Sequence, residues 1–323
     1  MERSLLKKYT IKMKTEKALV TGGAGFIGSH LVDDLIKDGY EVMVVDNLLS
    51  GKKENISNIV SNNIYFDDIG SEQVLQNIIE FDPDICFHLA AQSSVVISVD
   101  NPMLDFEHNI LQPLKLLKVL LTTNCRKMVF SSSGGTIFGE PDIIPTSEED
   151  FAGEPESPYG VAKKRLNEFI ELLLSDIPTI SYSILNFSNV YGPRQDPNGE
   201  AGVISIFTSK MMNNAEPIVF GDGEQTRDYI YVQDVVEAII KSSKIDENLF
   251  LNIGTGVETS VNELVSTLKN TIGYEGKILY HPKRDGELLR SVLDNSKAKK
   301  VLGWDPKFSL NDGIIELIEW LKT

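Results

Sequence analysis

Short apolar runs alternate along this chain with stretches of helical period. Residues 17–22 (KALVTG) are apolar and close on glycine, apolar positions then recur every three or four residues from Phe26 to about Lys37, and Gly39 ends that stretch. Residues 41–46 (EVMVVD) follow as a second strand. The same pattern predicts strands over 63–66, 84–90, 127–133 and 179–187, and helices over 71–80, about 102–123 and 158–174. Strands of this kind, separated by amphipathic helices, build a parallel sheet covered on both faces, so the expected fold class is α/β and doubly wound.

After residue 187 the rhythm loosens, and Gly- and Pro-rich loops at 191–202, 221–226 and 281–287 separate shorter elements. The expected organisation is an extension (1–16), a sheet domain (17–187) and a smaller C-terminal α/β domain (188–323), with elements free to cross back. The extension carries Arg3, Lys7, Lys8, Lys12 and Lys14 around an apolar stretch too short for a secretory signal. Residues 1–12 are expected to be dispensable, because Met13 stands just before the first strand.

Composition narrows the function. Hydrophobic residues make up 41% of the 323, enough for a full globular core. The net charge of −16 disfavours nucleic acid as a partner, since an acidic surface repels a phosphate backbone. It leaves room for an anionic small ligand held by a local site. Two cysteines, Cys86 and Cys125, provide no disulfide framework and suit a reducing cytoplasm. No apolar run approaches the roughly 18 residues of a membrane span. His30, His88, His108 and His281 have no metal-ligand spacing, and His88, in an apolar run, reads as a core histidine. Trp304 and Trp320 read as core anchors.

Two motifs carry chemistry. The first is TGGAGFIG at 21–28, which can be spaced as G-x-x-G-x-x-G from Gly22 or as G-x-G-x-x-G from Gly23, with Gly25 and Gly28 shared. Glycines there permit a tight turn, close approach to a pyrophosphate and close helix–strand packing, while the helix N-terminus faces the phosphates. Phe26 and Ile27 open that helix, and Asp46, with Asn47 behind it, closes the second strand about 18 residues after the last glycine. A carboxylate there accepts from both ribose hydroxyls and repels a 2′-phosphate, so the predicted cofactor is NAD in a Rossmann-type site. Asp68 and Ile69 are candidates for the adenine, and Ala90, Ala91 and Gln92 for the nicotinamide half.

The second motif is Tyr159-Gly-Val-Ala-Lys163, with tyrosine and lysine one helical turn apart on a shared face. A free phenol titrates near pH 10. A nearby ammonium, together with oxidised nicotinamide, favours the phenolate and makes the group a usable general base. The strand end Ser131-Ser132-Ser133 precedes it, and its hydroxyl can pass a proton between tyrosine and substrate. Ser133 is the candidate and Ser132 the alternative.

With these residues assembled, the chain resembles the extended short-chain dehydrogenase/reductases of the nucleotide-sugar epimerase/dehydratase family, most nearly their UDP-glucose (UDP-galactose) 4-epimerase branch. TGGAGFIGSH, SPYGVAKK, NVYGPRQDP (189–197), GDGEQTRDYIYVQDV (221–235) and RDGELLRS (284–291) carry the likeness from about residue 17 onward. It implies that Asn189, ending the sixth strand, binds the substrate diphosphate or sugar, that Val203, Val219 and Phe220 line a uridine pocket, and that Arg227 and Arg284 grip the diphosphate. Arg194 fits a surface ion pair equally well. The implied reaction is 4-epimerisation of a UDP-hexose through a 4-keto sugar, with NAD regenerated each cycle, in a homodimer built on the helices at 102–123 and 158–174. Ser291, where a bulky residue would exclude a 2-N-acetyl group, extends the implied substrates to UDP-N-acetylglucosamine. Related dehydratases and decarboxylases place an acid after the strand-end hydroxyl. Gly134-Gly135-Thr136 stands there instead, while Glu140 and Asp142 are expected to face solvent. Phe138 and Asn186 depart from the family's usual tyrosine and arginine. The competing expectations are a UDP-glucuronate 4-epimerase, a net nucleotide-sugar oxidoreductase and an NAD-responsive binding protein.

Overall fold

The computed structural model describes residues 15–57, 59, 63–150, 153–197, 202–283 and 288–322. The strands β1 (Lys17–Thr21), β2 (Glu41–Val45), β3 (Ile64–Tyr65), β4 (Ile85–His88), β5 (Lys127–Ser133) and β6 (Ser181–Phe187) join Leu249–Ile253 in one seven-stranded sheet. All pairings in it are parallel, and the order from one edge is Leu249–Ile253, β6, β5, β4, β1, β2, β3. The chain winds outward from β1 through β2 to β3, then crosses to β4 on the other side. The order therefore reverses between β1 and β4, where a doubly wound sheet opens its crevice.

Strand alternation sorts the core into two layers even though both faces are apolar. Ala18, Val20, Val44, Phe87 and Val129 pack with the helices Phe26–Lys37 and Val232–Ser243. Leu19, Met43, Cys86, Met128 and Phe130 pack with Glu72–Phe81, Gln112–Leu120 and Pro158–Leu174 on the other face. His88 is fully buried, with Nδ1 2.7 Å from Thr21 Oγ1, and Trp304 is 1% exposed. Trp320 is the exception to the expected anchors: it stands 40% exposed on the last helix, Leu310–Leu321.

Other differences from the sequence reading have local causes. The expected long helix over 102–123 is divided into Pro102–Phe106, a π turn at Glu107–Leu111 and Gln112–Leu120, with a separate short helix Val95–Asp100 before it. Asn101 starts the second of these by accepting from Leu104 N–H, with Pro102 at its first position. β6 stops at Phe187, and Asn189 opens a separate short strand, Asn189–Tyr191, paired with Tyr229–Tyr231. Asn186, where the family favours arginine, donates to Asn252 Oδ1 at 3.1 Å. Glu148 accepts from Asn252 N–H at 2.8 Å, and burial raises its carboxyl above the usual range.

The second half does not stay apart. Val232–Ser243 packs on the sheet against β5 and β6, and Leu249–Ile253 joins its edge beside β6.

Candidate active site

A cleft of about 860 Å³ lies over the β1/β4 switch point and gathers most of the predicted cofactor residues: Gly22, Gly25, Phe26, Ile27, Gly28, Asp46, Asn47, Ile69, Ala90, Ala91 and Gln92. Two of the glycines are sterically required. Gly22 has φ +71°, and a Cβ on it would lie 2.7 Å from Ala90 N. A Cβ on Gly28 would lie 2.1 Å from Gly22 O. Gly23 faces away from the cleft, against Val44. The turn is thus built to bring backbone to backbone, with the N-terminus of Phe26–Lys37 opening into the cleft.

Asp46 is 5% exposed, with Oδ2 accepting from Ala24 N–H at 2.9 Å and Oδ1 from Leu48 N–H at 2.8 Å. Burial raises its carboxyl, and the backbone donors oppose that shift. Asp68 is not brought to the cleft lining itself; its Oδ1 accepts at 2.7 Å from Asn47 Nδ2, which lines it. Ala90, Ala91 and Gln92 lie in the loop just past β4 rather than inside the strand. One feature went unseen in the sequence. Lys52 pairs with Asp196 at 2.8 Å, tying the loop after Asp46 to the loop after Tyr191 along the cleft wall. Arg194, an ion-pair residue here, meets Asp33 at 2.7 Å.

Tyr159 and Lys163 project into the same cleft from the helix Pro158–Leu174. Ser157 caps that helix by accepting from Gly160 N–H at 3.1 Å, and Pro158 presets its first turn, which fixes Tyr159 at the second position. The three serines of β5 divide their work by strand alternation. Ser131 gives its carbonyl to Lys163 Nζ at 3.0 Å, Ser132 Oγ accepts from Asn167 at 2.9 Å, and the Ser133 hydroxyl bonds to the Tyr159 phenol.

Burial sets the electrostatics of this pair. Lys163 Nζ is 6.0 Å from the centre of the Tyr159 ring and is directed to Ser131 O. Burial dominates both groups: the phenol is pushed up to about 12, with Ser133 opposing the shift, and the lysine down to about 8.

The substrate candidates are brought together in part. Arg227 and Ser291 are register partners in the short strands Thr226–Arg227 and Arg290–Ser291. A Cβ on Gly135 would lie 3.8 Å from Ser291 Oγ and 3.9 Å from Asn189 Oδ1, so these three small or polar residues face one space beside the Ser133 turn. Val203 opens the helix Val203–Met212. Val219, in the strand Ile218–Phe220, is 1% exposed and packs in the core, so only its backbone can meet a ligand; Phe220 stands edge-on to His281. Arg284 lies outside the described residues. Glu140 and Asp142 are exposed, as expected.

The GDP-mannose 4,6 dehydratase family model matches residues 19–317. A UDP-glucose 4-epimerase of Mycolicibacterium smegmatis is 40% identical over 312 residues, 95% of this chain and 99% of that protein. Among solved structures, UDP-glucose 4-epimerase from Thermotoga maritima with UDP-glucose superposes with a TM-score of 0.90 at 45% identity, covering 95% of this chain and 98% of the other. The Thermus thermophilus UDP-glucose 4-epimerase complex with NAD gives 0.87 at 36% identity, covering 95% and 99%.

Proposed function

The chain belongs to the family of the GDP-mannose 4,6 dehydratase model, the extended short-chain dehydrogenase/reductases of nucleotide sugars, and within it we propose that this protein is an NAD-dependent UDP-hexose 4-epimerase. The observation that carries the reading is that Tyr159, bonded to Ser133, and Lys163 line a cleft whose glycine turn and buried Asp46 suit a dinucleotide. The backbone of Gly22 to Gly28 would hold the pyrophosphate, Asp46 the ribose hydroxyls, Asp68 and Ile69 the adenine, and Ala90 to Gln92 the nicotinamide half. Bound NAD supplies a reversible hydride acceptor and, in its oxidised form, the positive charge that the Tyr159 phenol requires.

Tyr159 then takes the proton from the sugar 4-hydroxyl, directly or relayed through Ser133, and gives it back after the flat 4-keto sugar has turned over. Lys163 keeps an ammonium near the phenolate. Asn189 and Arg227, with Arg284, anchor the diphosphate, so binding energy is invested in UDP while the sugar stays free to rotate. With Gly134-Gly135-Thr136 after Ser133, the turn supplies no acid for elimination or decarboxylation. The test is to supply UDP-galactose to purified protein without added cofactor. Conversion to UDP-glucose is expected, and a requirement for stoichiometric NAD would overturn the reading.

Ser291 sets the width of the sugar space shared with Gly135 and Asn189. The protein should therefore also invert UDP-N-acetylglucosamine. Ser291→Tyr should abolish that activity and spare UDP-glucose; equal loss of both, followed by NMR, would remove the gatekeeper role.

The partner proposed is a second copy of the chain. Phe106, Ile110, Val161, Phe169 and Leu172 line an apolar groove across the two helical segments expected at the dimer interface, and Leu172 is 76% exposed. Leu172→Asp should give a monomer by light scattering; an unchanged mass would place the contact elsewhere. The compartment proposed is the cytoplasm, which suits two free, buried thiols, Cys86 and Cys125. No described helix is long and apolar enough to cross a membrane.

A further inference from the structure

The substrate candidates sit on two small sheets outside the seven-stranded one. Asn189 opens the two-stranded sheet of Asn189–Tyr191 and Tyr229–Tyr231. Arg227 and Ser291 belong to the three-stranded sheet of Thr259–Ser260, Thr226–Arg227 and Arg290–Ser291. Asp228 is the residue between Thr226–Arg227 and Tyr229–Tyr231, and its backbone serves both sheets. Its carbonyl accepts from Asn189 N–H at 2.9 Å, and its N–H donates to Ser291 O at 3.0 Å. One residue is therefore a single hydrogen bond away from each side of the space that Asn189 and Ser291 share with Gly135.

The Asp228 side chain is fully buried and turns to further segments. Its Oδ1 accepts from Thr255 N–H at 2.9 Å and from the Thr255 hydroxyl at 2.6 Å. Its Oδ2 accepts from Gly256 N–H at 3.1 Å and, in a longer bond, from Leu293 N–H at 3.4 Å. The chain at 254 lies so close that a Cβ on Gly254 would be 2.3 Å from Oδ2. A buried carboxylate is costly unless donors fill its lone pairs, and four uncharged donors do so here. A carboxylate is also the one side-chain group of this length that accepts all four at once. The loop 255–256 and Leu293, two residues past Ser291, are thus drawn onto the junction of the two small sheets.

We propose that Asp228 is a positioning residue for the nucleotide sugar: by bracing 255–256 and Leu293 against both small sheets, its buried carboxylate sets the placement of Ser291 and Arg227 relative to Asn189, and with it the grip on the UDP-hexose. This inference rests on the function proposed above. The effect falls on ligand binding rather than on the proton and hydride steps, because Tyr159, Lys163 and the glycine turn are carried by other elements, Pro158–Leu174 and the segment after β1.

The test compares Asp228→Asn with the parent in three measurements: UDP binding by calorimetry, KM and kcat for UDP-galactose, and the NAD carried through purification. Asparagine keeps one oxygen for Thr255 but turns an NH2 group toward Gly256 N–H and Leu293 N–H. The UDP dissociation constant and KM should each rise about tenfold, with kcat at saturation within about twofold of the parent and the NAD content unchanged. Thr255→Val, which removes only the hydroxyl donor, should raise the same two constants by less, and it carries the test if Asp228→Asn does not fold. Unchanged UDP affinity and KM in the variants that fold would mean that Asp228 braces the fold alone, whatever the melting temperature does, and would overturn the inference. Loss of kcat or of NAD with KM unchanged would overturn it as well. If the parent neither binds UDP nor converts UDP-galactose, the proposed function falls instead, so the two failures are separable.

Discussion

Tyr159→Phe should lower kcat for UDP-galactose by about 10³-fold with KM little changed. The site explains both halves of that expectation. Tyr159 is 9% exposed, and phenylalanine retains the ring that fills its place, so fold and substrate anchoring persist. The variant loses only the oxygen bonded to Ser133, which is the atom that moves the proton. A buried phenol without its hydroxyl is also easier to desolvate, so the melting temperature should hold or rise. Progress curves by NMR and a thermal melt together check the claim. Full turnover in this variant would remove Tyr159 from the chemistry.

The second large effect is expected from Gly28→Ala. The added methyl would lie 2.1 Å from Gly22 O and 2.9 Å from Gly23 Cα, a clash with backbone that no rotamer relieves. The helix Phe26–Lys37 would have to withdraw from the turn that it closes, at a cost of about 3 kcal/mol. The same withdrawal opens the pyrophosphate cradle, so protein-bound NAD should vanish from purified material. Equal cofactor content in the Gly28 variant and the parent would show that the turn does not hold the dinucleotide.

Much of the sheet could be read from the chain because local signals and burial agree there. β1, β2, β5 and Pro158–Leu174 fall within a residue of their predicted bounds, each marked by an apolar run, a glycine stop or a Ser-Pro start. The glycine turn and the Tyr159–Lys163 pair were legible for the same reason, being local in sequence. What sequence did not show is set by contacts between distant segments. The π turn at Glu107–Leu111 follows from Asn109 meeting the Gln92 loop, and only a polar i, i+4 pair, Asp105 and Asn109, hinted at it. The Lys52–Asp196 tie joins residues far apart in the chain. Burial of the Tyr159 phenol and the direction of Lys163 Nζ were out of reach, because proximity on a helix fixes spacing, whereas these depend on β5 and its Ser131 carbonyl.

Val232–Ser243 and Leu249–Ile253 rejoin the sheet after the chain has already visited the substrate side. The polypeptide is therefore laced rather than modular. A chimera made by one crossover after Phe187 would mate β6 with a foreign edge strand, whereas a graft of sugar preference needs two splices that leave 232–253 with its own sheet. Evolution of substrate choice on such a scaffold is steered toward point changes in short strands and loops, such as those bearing Gly135 and Ser291, and away from wholesale exchange of halves.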